Sequence, residues 1–327
     1  MFTRSDRLAK PAIAIPGGVG WGIVLAIGAA LISGLAIYLN AFAVKQLPDA
    51  AVYTTLKNAI AAFVLVAIAL GLGAARDVRA IERRHWPAVF AVGVIGGSVP
   101  FILFFTGLAQ ASAPSAAFIQ KTLFVWVALL AVPFLGERLG IASVIGLGIL
   151  LVGQALVLPP DGIRWGMGET LILVATLFWA IETILVKRLL GSIPSSVMGA
   201  LRMGIGLVVL VGYLALSGKL GVLAGLGATQ WAWVLLTGVI LAGYVGTWFA
   251  ALQRAPASVV ASVLVLGAVV TGALTAISKG APPSPTIVGG YILMIAAAGI
   301  IAAWSVRAAR LLSDSGPRRA AVNAESD

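Results

Sequence analysis

Ten long apolar runs constrain this chain more than any other feature of its sequence. Each run has about 20 residues, the length with which an α-helix crosses the hydrocarbon core of a bilayer. The runs are continuous and lack the apolar–polar alternation of membrane β-barrels. They cover roughly residues 20–43, 50–73, 87–109, 114–135, 140–158, 166–186, 195–217, 229–252, 257–278 and 285–305. The sequence therefore predicts an all-α integral membrane protein with ten transmembrane helices.

The composition excludes a water-soluble fold and most enzyme chemistry. Hydrophobic residues make up 61% of the chain and charged residues 10%, whereas soluble domains carry roughly 25% charged residues. There is no cysteine, and His85 is the single histidine, so thiolate and multi-histidine metal sites are excluded. No glycine-rich phosphate loop or acid–base pair is visible in the sequence. We expect neither an enzyme nor a bound cofactor or metal.

The distribution of Lys and Arg predicts the orientation of the chain. With the N-terminus inside, 15 of the 22 basic residues fall on the inner side and 4 on the outer side. This bias is the positive-inside rule, and it explains the net charge of +11 without a nucleic-acid partner. We expect a multi-pass protein of a bacterial-type inner (plasma) membrane with both termini in the cytoplasm. Residues 1–19 and 306–327 are predicted to be cytoplasmic tails, the second one disordered.

The chain repeats itself at an offset of 144 residues. The matched positions are Trp21-Gly22 with Trp165-Gly166, Gly136 with Gly280, and Gly146 with Gly290. Residues 20–158 and 159–305 then form two repeats of five helices each. Because five is odd, the second repeat is inverted relative to the first. Inverted repeats are typical of secondary transporters, which bind substrate near the bilayer midplane between the repeats.

Several motifs resemble the drug/metabolite transporter superfamily, specifically its EamA-type families. They are the segment 134–139 (FLGERL), the segments 107–113 and 251–257 before the fourth and ninth helices, and Lys187 followed by Pro194 and Arg202. Ala281 stands where the first repeat has Glu137, and Gln120-Lys121-Thr122 stands near the place of a family proline. The resemblance covers about residues 20–305. Bacterial exporters of amino acids, including aromatic ones, have a similar layout.

Four ionisable residues within the runs are candidates for function, because burying charge in a membrane costs at least about 2.5–3.5 kcal/mol. They are Lys57, Lys121, Glu182 and Arg202. Two lysines at similar depth could attract a substrate carboxylate or phosphate. Alternatively, the lysines extend to the membrane surface or pair with Asp49 or Glu169, and Glu182 serves as a structural partner of Arg202.

Aromatic and amide side chains complete the predicted substrate site. An apolar cavity with a few polar groups suits an amino acid with an apolar side chain. The candidates are Tyr38, Asn40, Gln120, Trp179, Tyr244 and Trp248. Each of these could instead face lipid or pack against a neighbouring helix.

The leading hypothesis is a secondary transporter that exports small metabolites, most of all amino acids, by alternating access around a central cavity. Its transport is expected to be gradient-driven facilitation or exchange, with no obligate protein partner. The alternative is a proton-coupled exporter of drugs, nucleosides or other metabolites, in which Glu182 titrates. A membrane enzyme, a sensory protein or scaffold, and a channel are less consistent with the repeat and with the lack of catalytic groups and of a filter segment.

Overall fold

A computed structural model describes residues 18–108, 110–111, 113–157 and 165–324. The predicted N-terminal tail as far as residue 17, the repeat boundary at 158–164 and the last three residues lie outside the described residues. The described part of the chain is helical with connecting turns and contains no strand. The helices are α1 (Gly18–Gln46), α2 (Ala50–Gly71), α3 (Ala74–Ala80), α4 (Trp86–Gly97), α5 (Val99–Leu108), α6 (Ala113–Lys121), α7 (Leu123–Leu135), α8 (Ile141–Val157), α9 (Met167–Leu189), α10 (Ser195–Leu216), α11 (Ala228–Arg254), α12 (Ala257–Leu264), α13 (Gly267–Lys279) and α14 (Pro285–Ala324), with 3-10 segments at Arg83–His85 and Leu220–Gly225.

Nine helical stretches within the described residues are long and apolar enough to cross a membrane. Three of these stretches each include a short break between consecutive helices, namely α4 and α5, the end of α6 and α7, and α12 and α13. A further apolar helix, α8, has 17 residues, slightly fewer than the roughly 20 that a full crossing requires. The all-helical membrane fold is therefore confirmed, and the count of ten crossings stays a prediction that depends on α8.

The broken helices repeat at the offset found in the sequence. Helices α6 and α12 begin 144 residues apart, as do α7 and α13, and α7 and α13 also end 144 residues apart. Each of the latter two ends at a glycine in the left-handed region, Gly136 at φ 68° and Gly280 at φ 62°. Glycine adopts this conformation without the steric penalty of a Cβ atom. The repeat is therefore present in the backbone as well as in the residues.

Helices α8 and α14 show how the two repeats are related. Gly146 of α8 packs against Ile301 of α14, and Gly290 of α14 packs against Val157 of α8. Gly146 and Gly290 are equivalent in the repeat, as are Val157 and Ile301. Each helix therefore makes the same glycine contact with the other. The two helices run antiparallel, because the earlier residue of α8 meets the later residue of α14 and the reverse. Equivalent helices that pack antiparallel belong to repeats of opposite orientation, which is the predicted inverted arrangement.

The break between α4 and α5 has a local cause. Pro100 lacks a backbone N–H, so it cannot donate to the carbonyl of Gly96 four residues earlier. The chain leaves helical geometry at Ser98, at φ −139° and ψ −68°. In a membrane an orphaned carbonyl costs several kcal/mol unless another donor satisfies it. The sequence therefore creates a free acceptor at Gly96 that the tertiary structure has to fill.

Close backbone contact brings α10 to this break. A Cβ atom at Gly97 would lie 2.6 Å from the Arg202 carbonyl oxygen, and one at Gly206 would lie 2.6 Å from the Gly97 carbonyl oxygen. Small residues of this kind let membrane helices approach closely. Because α10 belongs to the second repeat and α4 to the first, the contact joins the two repeats and places Arg202 beside Gly96.

The last helix extends further than the sequence predicts. Helix α14 continues to Ala324, beyond residue 305, where we expect the last span to end and a disordered tail to begin. Segment 306–324 contains many Ala and Arg residues, which have high helix propensity, and also Gly316 and Pro317, which disfavour a helix interior. The cytoplasmic location of this segment stays a prediction.

Candidate functional site

Lys57 lies inside the protein, on the part of α2 that follows its N-terminus. Its side chain is buried, with 4% of the residue exposed. The ammonium nitrogen lies 5.1 Å from the ring centroid of Tyr53, 5.3 Å from that of Phe105 and 5.9 Å from that of Phe101. The faces of aromatic rings attract cations. Three rings therefore replace part of the hydration shell that the ammonium group loses by burial.

Asn40 of α1 provides the polar contact of this lysine. Its side-chain oxygen accepts hydrogen bonds from the Lys57 ammonium at 3.4 Å and from the Tyr53 hydroxyl. Its side-chain nitrogen donates to the Ala36 carbonyl at 2.7 Å, which sets the orientation of the amide. The structure thus brings together two predicted site residues, Asn40 and Lys57, from different helices.

The alternative roles considered for Lys57 do not occur in the structure. Its low exposure shows that it does not extend to the surface. Asp49 pairs with Lys219 at 2.7 Å, and Glu169 accepts the Gly166 N–H at 3.0 Å. No described Asp or Glu forms an ion pair with Lys57. A buried ammonium without a carboxylate partner is costly. The role of Lys57 in binding stays a prediction.

Arg202 and Glu182 form a buried ion pair between α10 and α9. The Arg202 Nε lies 2.5 Å from Glu182 Oε1, and Nη2 lies 3.3 Å from Oε2. Each side chain is 7% exposed. The two parallel hydrogen bonds give the bidentate geometry that guanidinium and carboxylate favour. The structural alternative for Arg202, in which Glu182 is its partner, is therefore observed.

The Gly96 carbonyl, which Pro100 leaves without its helical donor, accepts hydrogen bonds beside this ion pair. Arg202 Nη2 donates to the Gly96 carbonyl at 2.8 Å, and the Trp179 indole N–H donates to it at 3.3 Å. A Cβ atom at Gly96 would lie 2.1 Å from Glu182 Cδ. Three predicted site residues, Trp179, Glu182 and Arg202, thus meet around one carbonyl of the first repeat. This assembly has a structural role, because it satisfies the carbonyl at the break between α4 and α5.

Phe101 links the Lys57 group to the Arg202 group. Its ring centroid lies 5.9 Å from the Lys57 ammonium and 5.9 Å from the Arg202 guanidinium carbon. The Trp179 ring packs edge-on against it at 5.4 Å. Lys57 and Phe101 belong to the first repeat, and Trp179 and Arg202 to the second. The candidate site is therefore a single aromatic and cationic cluster between the repeats.

Tyr244 and Trp248 contact each other on α11. Their rings stack with centroids 6.2 Å apart and an interplanar angle of 19°. Trp248 is buried, and Tyr244 is partly buried. The neighbouring Phe249 lies under the Arg202 guanidinium at 5.9 Å. Helix α11 thus reaches the cluster through Phe249, a residue that sequence reasoning missed.

Besides Tyr244 and Trp248, three predicted residues are not joined to the cluster by a described contact. Lys121 is partly buried at the break between α6 and α7 and has no hydrogen-bond or ion-pair partner among the described residues. Gln120 precedes it and is also partly buried. The Tyr38 ring packs against Phe42 at 5.1 Å, and Phe42 is exposed. The role of these three residues in binding stays a prediction.

Sequence reasoning missed Tyr53, Phe101 and Phe105. Tyr53 stands four residues before Lys57, so the two share a helix face, and this spacing could have identified it. Phe101 and Phe105 lie in an apolar stretch, residues 99–108, that offers no signal for selecting them. Their position depends on how α5 packs against α2, which only the structure shows. No group of three described His, Asp or Glu side chains could hold a metal ion.

A second set of contacts, which we call the inner clamp, consists of Glu137, Lys187 and the turn between α11 and α12. The Glu137 carboxylate accepts hydrogen bonds from the Ala257 N–H at 2.5 Å, the Ser258 N–H at 3.1 Å and the Ser258 hydroxyl at 2.5 Å. The Lys187 ammonium donates to the carbonyls of Leu252 at 2.5 Å and Ala255 at 2.8 Å. The Glu137 carboxylate thus caps the N-terminus of α12, and the Lys187 ammonium caps the C-terminus of α11. Both arrangements are favoured by the helix dipole.

On the opposite side of the predicted membrane, Asp49 and Lys219 form a partly exposed ion pair. Partial burial raises the pKa of the Asp49 carboxyl, but hydrogen bonds from Lys219 and from the Val52 and Ala51 N–H groups outweigh this effect. The net pKa lies below the ordinary value of 3.8. The hydrogen bond to Asp49 raises the pKa of Lys219 above its ordinary value of 10.5. This pair joins α2 to the connection between α10 and α11.

Comparison with known proteins agrees with the repeated fold. The model of the EamA-like transporter family matches residues 20–158 and again residues 166–303. The chain belongs to the EamA-like transporter family. The two matches coincide with the two repeats, which confirms the resemblance noted in the sequence. A membrane transporter of small solutes is the function that this family supports.

One solved structure has a similar fold. This EamA-like chain superposes on a protein whose structure is titled "Crystal structure of protein", with a TM-score of 0.72 and 18% sequence identity. The match covers 88% of this chain and 98% of that chain. At this identity the likeness shows the fold alone. A search of curated proteins found no match.

Proposed function

We propose that this EamA-like transporter is a secondary exporter of small metabolites that carry a carboxylate, above all amino acids with apolar or aromatic side chains. The observation that carries the proposal is the buried Lys57 ammonium, which has aromatic rings around it and no described acid as partner. The substrate carboxylate would bind Lys57 and Asn40. Its apolar part would lie against Phe101 and Trp179, between the two repeats.

The proposed mechanism is alternating access. The two inverted repeats would rock about the cluster and expose it first to the cytoplasm and then to the outside. We propose that the inner clamp closes the cytoplasmic side, because its partners come from both repeats and end on the turn between α11 and α12. At the equivalent positions of the other repeat, the chain has Ala281 for Glu137 and Ala43 for Lys187. Opening towards the cytoplasm would therefore require the hydrogen bonds of Glu137 and Lys187 to break. On the outer side, the charged contact described between the repeats is the partly exposed Asp49–Lys219 pair.

Proton coupling is the second candidate mechanism. It would need an acid within the membrane that gains and loses a proton during the cycle, and Glu182 is the acid at that depth. Its bidentate pairing with Arg202 supports a permanently charged structural pair instead. We therefore favour facilitated transport or exchange driven by the substrate gradient, and regard proton-coupled export of drugs, nucleosides or other metabolites as the alternative.

Transport by purified protein in liposomes tests the proposal. We expect saturable uptake of labelled apolar amino acids at equal pH and zero potential, and the loss of most of that uptake in Lys57→Gln. Lys279→Gln is the matched control because Lys279 is an exposed lysine at a helix end. Absence of saturable uptake for every amino acid would refute this substrate class. Uptake that appears only with a pH gradient and is lost in Glu182→Gln would favour the proton-coupled alternative.

The proposed membrane orientation has a separate test. Because the chain has no cysteine, single cysteines can be introduced without a background. Ser217→Cys, between α10 and α11, should react with a membrane-impermeant maleimide in intact cells. Arg79→Cys, in α3, should react only after the cells are opened, since α3 lies on the predicted cytoplasmic side. The reverse pattern would refute the orientation with both termini inside.

A further inference from the structure

The charged side chains within the predicted membrane spans do not all have opposite charges as partners. Lys57 is buried and has no described acid partner. Lys121, also within a predicted span, is partly buried and has no hydrogen-bond or ion-pair partner among the described residues. Two ammonium groups within the predicted spans therefore have no ion-pair partner among the described residues.

The acids in the same part of the protein are already engaged. Glu182 forms two hydrogen bonds with Arg202. Glu169, at the start of α9, accepts the Gly166 N–H. The described acids next to the spans are engaged as well, since Asp49 pairs with Lys219 and Glu137 accepts three hydrogen bonds from the start of α12. Glu182 is the acid that the described contacts place in the cluster, and its pairing with Arg202 leaves no described carboxylate of the cluster for the ammonium group of a substrate.

The carboxylate and the ammonium group of an amino acid would meet different surroundings in this site. Its carboxylate would meet the Lys57 ammonium and gain a charge-assisted hydrogen bond. Its ammonium would lose water without meeting an opposite charge, which is unfavourable in an apolar site. A molecule with a carboxylate and an apolar body but no ammonium group would gain the hydrogen bond to Lys57. It would avoid the cost of removing an ammonium group from water.

We propose that the Lys57 site takes organic monoanions, carboxylates with an apolar or aromatic body and no ammonium group, as a further class of cargo. The inference rests on the proposed transport function and adds a substrate class to it. The rings of Phe101, Phe105 and Trp179 would hold the body of the molecule.

Three ligands with the same phenyl ring isolate the effect of charge. They are 3-phenylpropanoate, which is an anion, phenylalanine, which is the corresponding zwitterion, and 2-phenylethylamine, which is a cation. Binding of each labelled ligand is measured on the purified full-length protein in detergent, so that permeation of the free acid through a bilayer has no effect. We expect 3-phenylpropanoate to bind at least as tightly as phenylalanine and 2-phenylethylamine not to bind.

Variants test whether this order of ligand affinities depends on Lys57. Lys57→Gln should weaken 3-phenylpropanoate binding by about tenfold or more, the size expected for the loss of one charge-assisted hydrogen bond. Lys57→Arg should retain most of the binding, and Lys279→Gln should leave it unchanged. A thermal melt of each variant checks that it is folded. The ligand order on the unmodified protein tests the inference even if Lys57→Gln does not fold.

The possible failures are distinguishable. If phenylalanine is bound and transported while 3-phenylpropanoate binds about tenfold more weakly or worse, the anion inference is overturned and the amino-acid proposal stands. If 3-phenylpropanoate binds equally well to folded Lys57→Gln, the assignment to Lys57 is overturned. If none of the three ligands binds and no amino acid is transported, both proposals are overturned.

Discussion

Glu137→Gln should shift the protein towards a state that is open to the cytoplasm. The carboxylate of Glu137 accepts three hydrogen bonds from the first residues of α12, at 2.5, 3.1 and 2.5 Å. The glutamine amide keeps one acceptor oxygen and loses both the charge and the second acceptor. If the inner clamp closes the cytoplasmic side, this loss destabilises the closed state and leaves the open state unaffected.

The size of the shift follows from the bonds that are lost. A hydrogen bond to a charged group contributes about 1.5–3 kcal/mol net, and a charge at a helix N-terminus contributes about 0.3–1 kcal/mol. Glu137 is partly exposed, so we take roughly 1–3 kcal/mol for the combined loss, which changes the equilibrium by about 5- to 150-fold.

A single cysteine in α12 can report this shift. Ser262 is 1% exposed, so Ser262→Cys should react slowly with a maleimide while the clamp is closed. In inside-out vesicles, adding Glu137→Gln should speed labelling by about 5- to 150-fold. Glu82→Gln is the matched control, since Glu82 also lies on the predicted inner side and its ion pair among the described residues is with exposed Arg84. Labelling that stays within about twofold of the parent in folded Glu137→Gln, or that rises only from the outer side, would refute the clamp.

Two further predictions concern structure and pH. Gly96→Ala should lower the melting temperature of the purified protein by several degrees, because a Cβ atom at Gly96 would lie 2.1 Å from Glu182. Gly204→Ala should leave it unchanged, because a Cβ atom there meets nothing within 4 Å. Equal melting temperatures of the two variants would contradict this prediction. The lowered pKa of Asp49 means that its pairing with Lys219 stabilises the fold above pH 3.8 and is lost as pH falls through the lowered value. The raised pKa of Lys219 means that its contribution is complete below pH 10.5 and is lost as pH rises through the raised value. The difference in melting temperature between the parent and Asp49→Asn should therefore be largest between these limits and vanish in acid, and a difference that persists in acid would contradict this assignment.

The features of the fold that depend on local composition and spacing were predictable. The length and continuity of the apolar runs predict membrane helices, and the 144-residue offset predicts two repeats, which the ends of α7 and α13 and the family match confirm. The extension of α14 was not predicted, because the polar segment after residue 305 gives no hydrophobic pattern from which to judge helix formation. The breaks at Thr122 and Val265 were not predicted either, since no glycine or proline stands at these positions.

The candidate site was predictable in part. Charge within an apolar run identified Lys57, Glu182 and Arg202, because a charge in a membrane is costly wherever its partners lie. The sequence could not decide which of them are paired. The structure pairs Glu182 with Arg202 and leaves Lys57 among aromatic rings.

By itself, the sequence determined that this chain is a two-repeat membrane protein, because hydrophobic length and periodicity are local properties that the bilayer constrains directly. Only the tertiary structure decided that Arg202 and Trp179 satisfy the Gly96 carbonyl, that Glu137 binds the start of α12, and that Phe101 lies between Lys57 and Arg202. These contacts join residues from both repeats. They depend on helix packing, which close contacts between small residues such as Gly97 and Gly206 make possible and which has no counterpart in the local pattern of the chain.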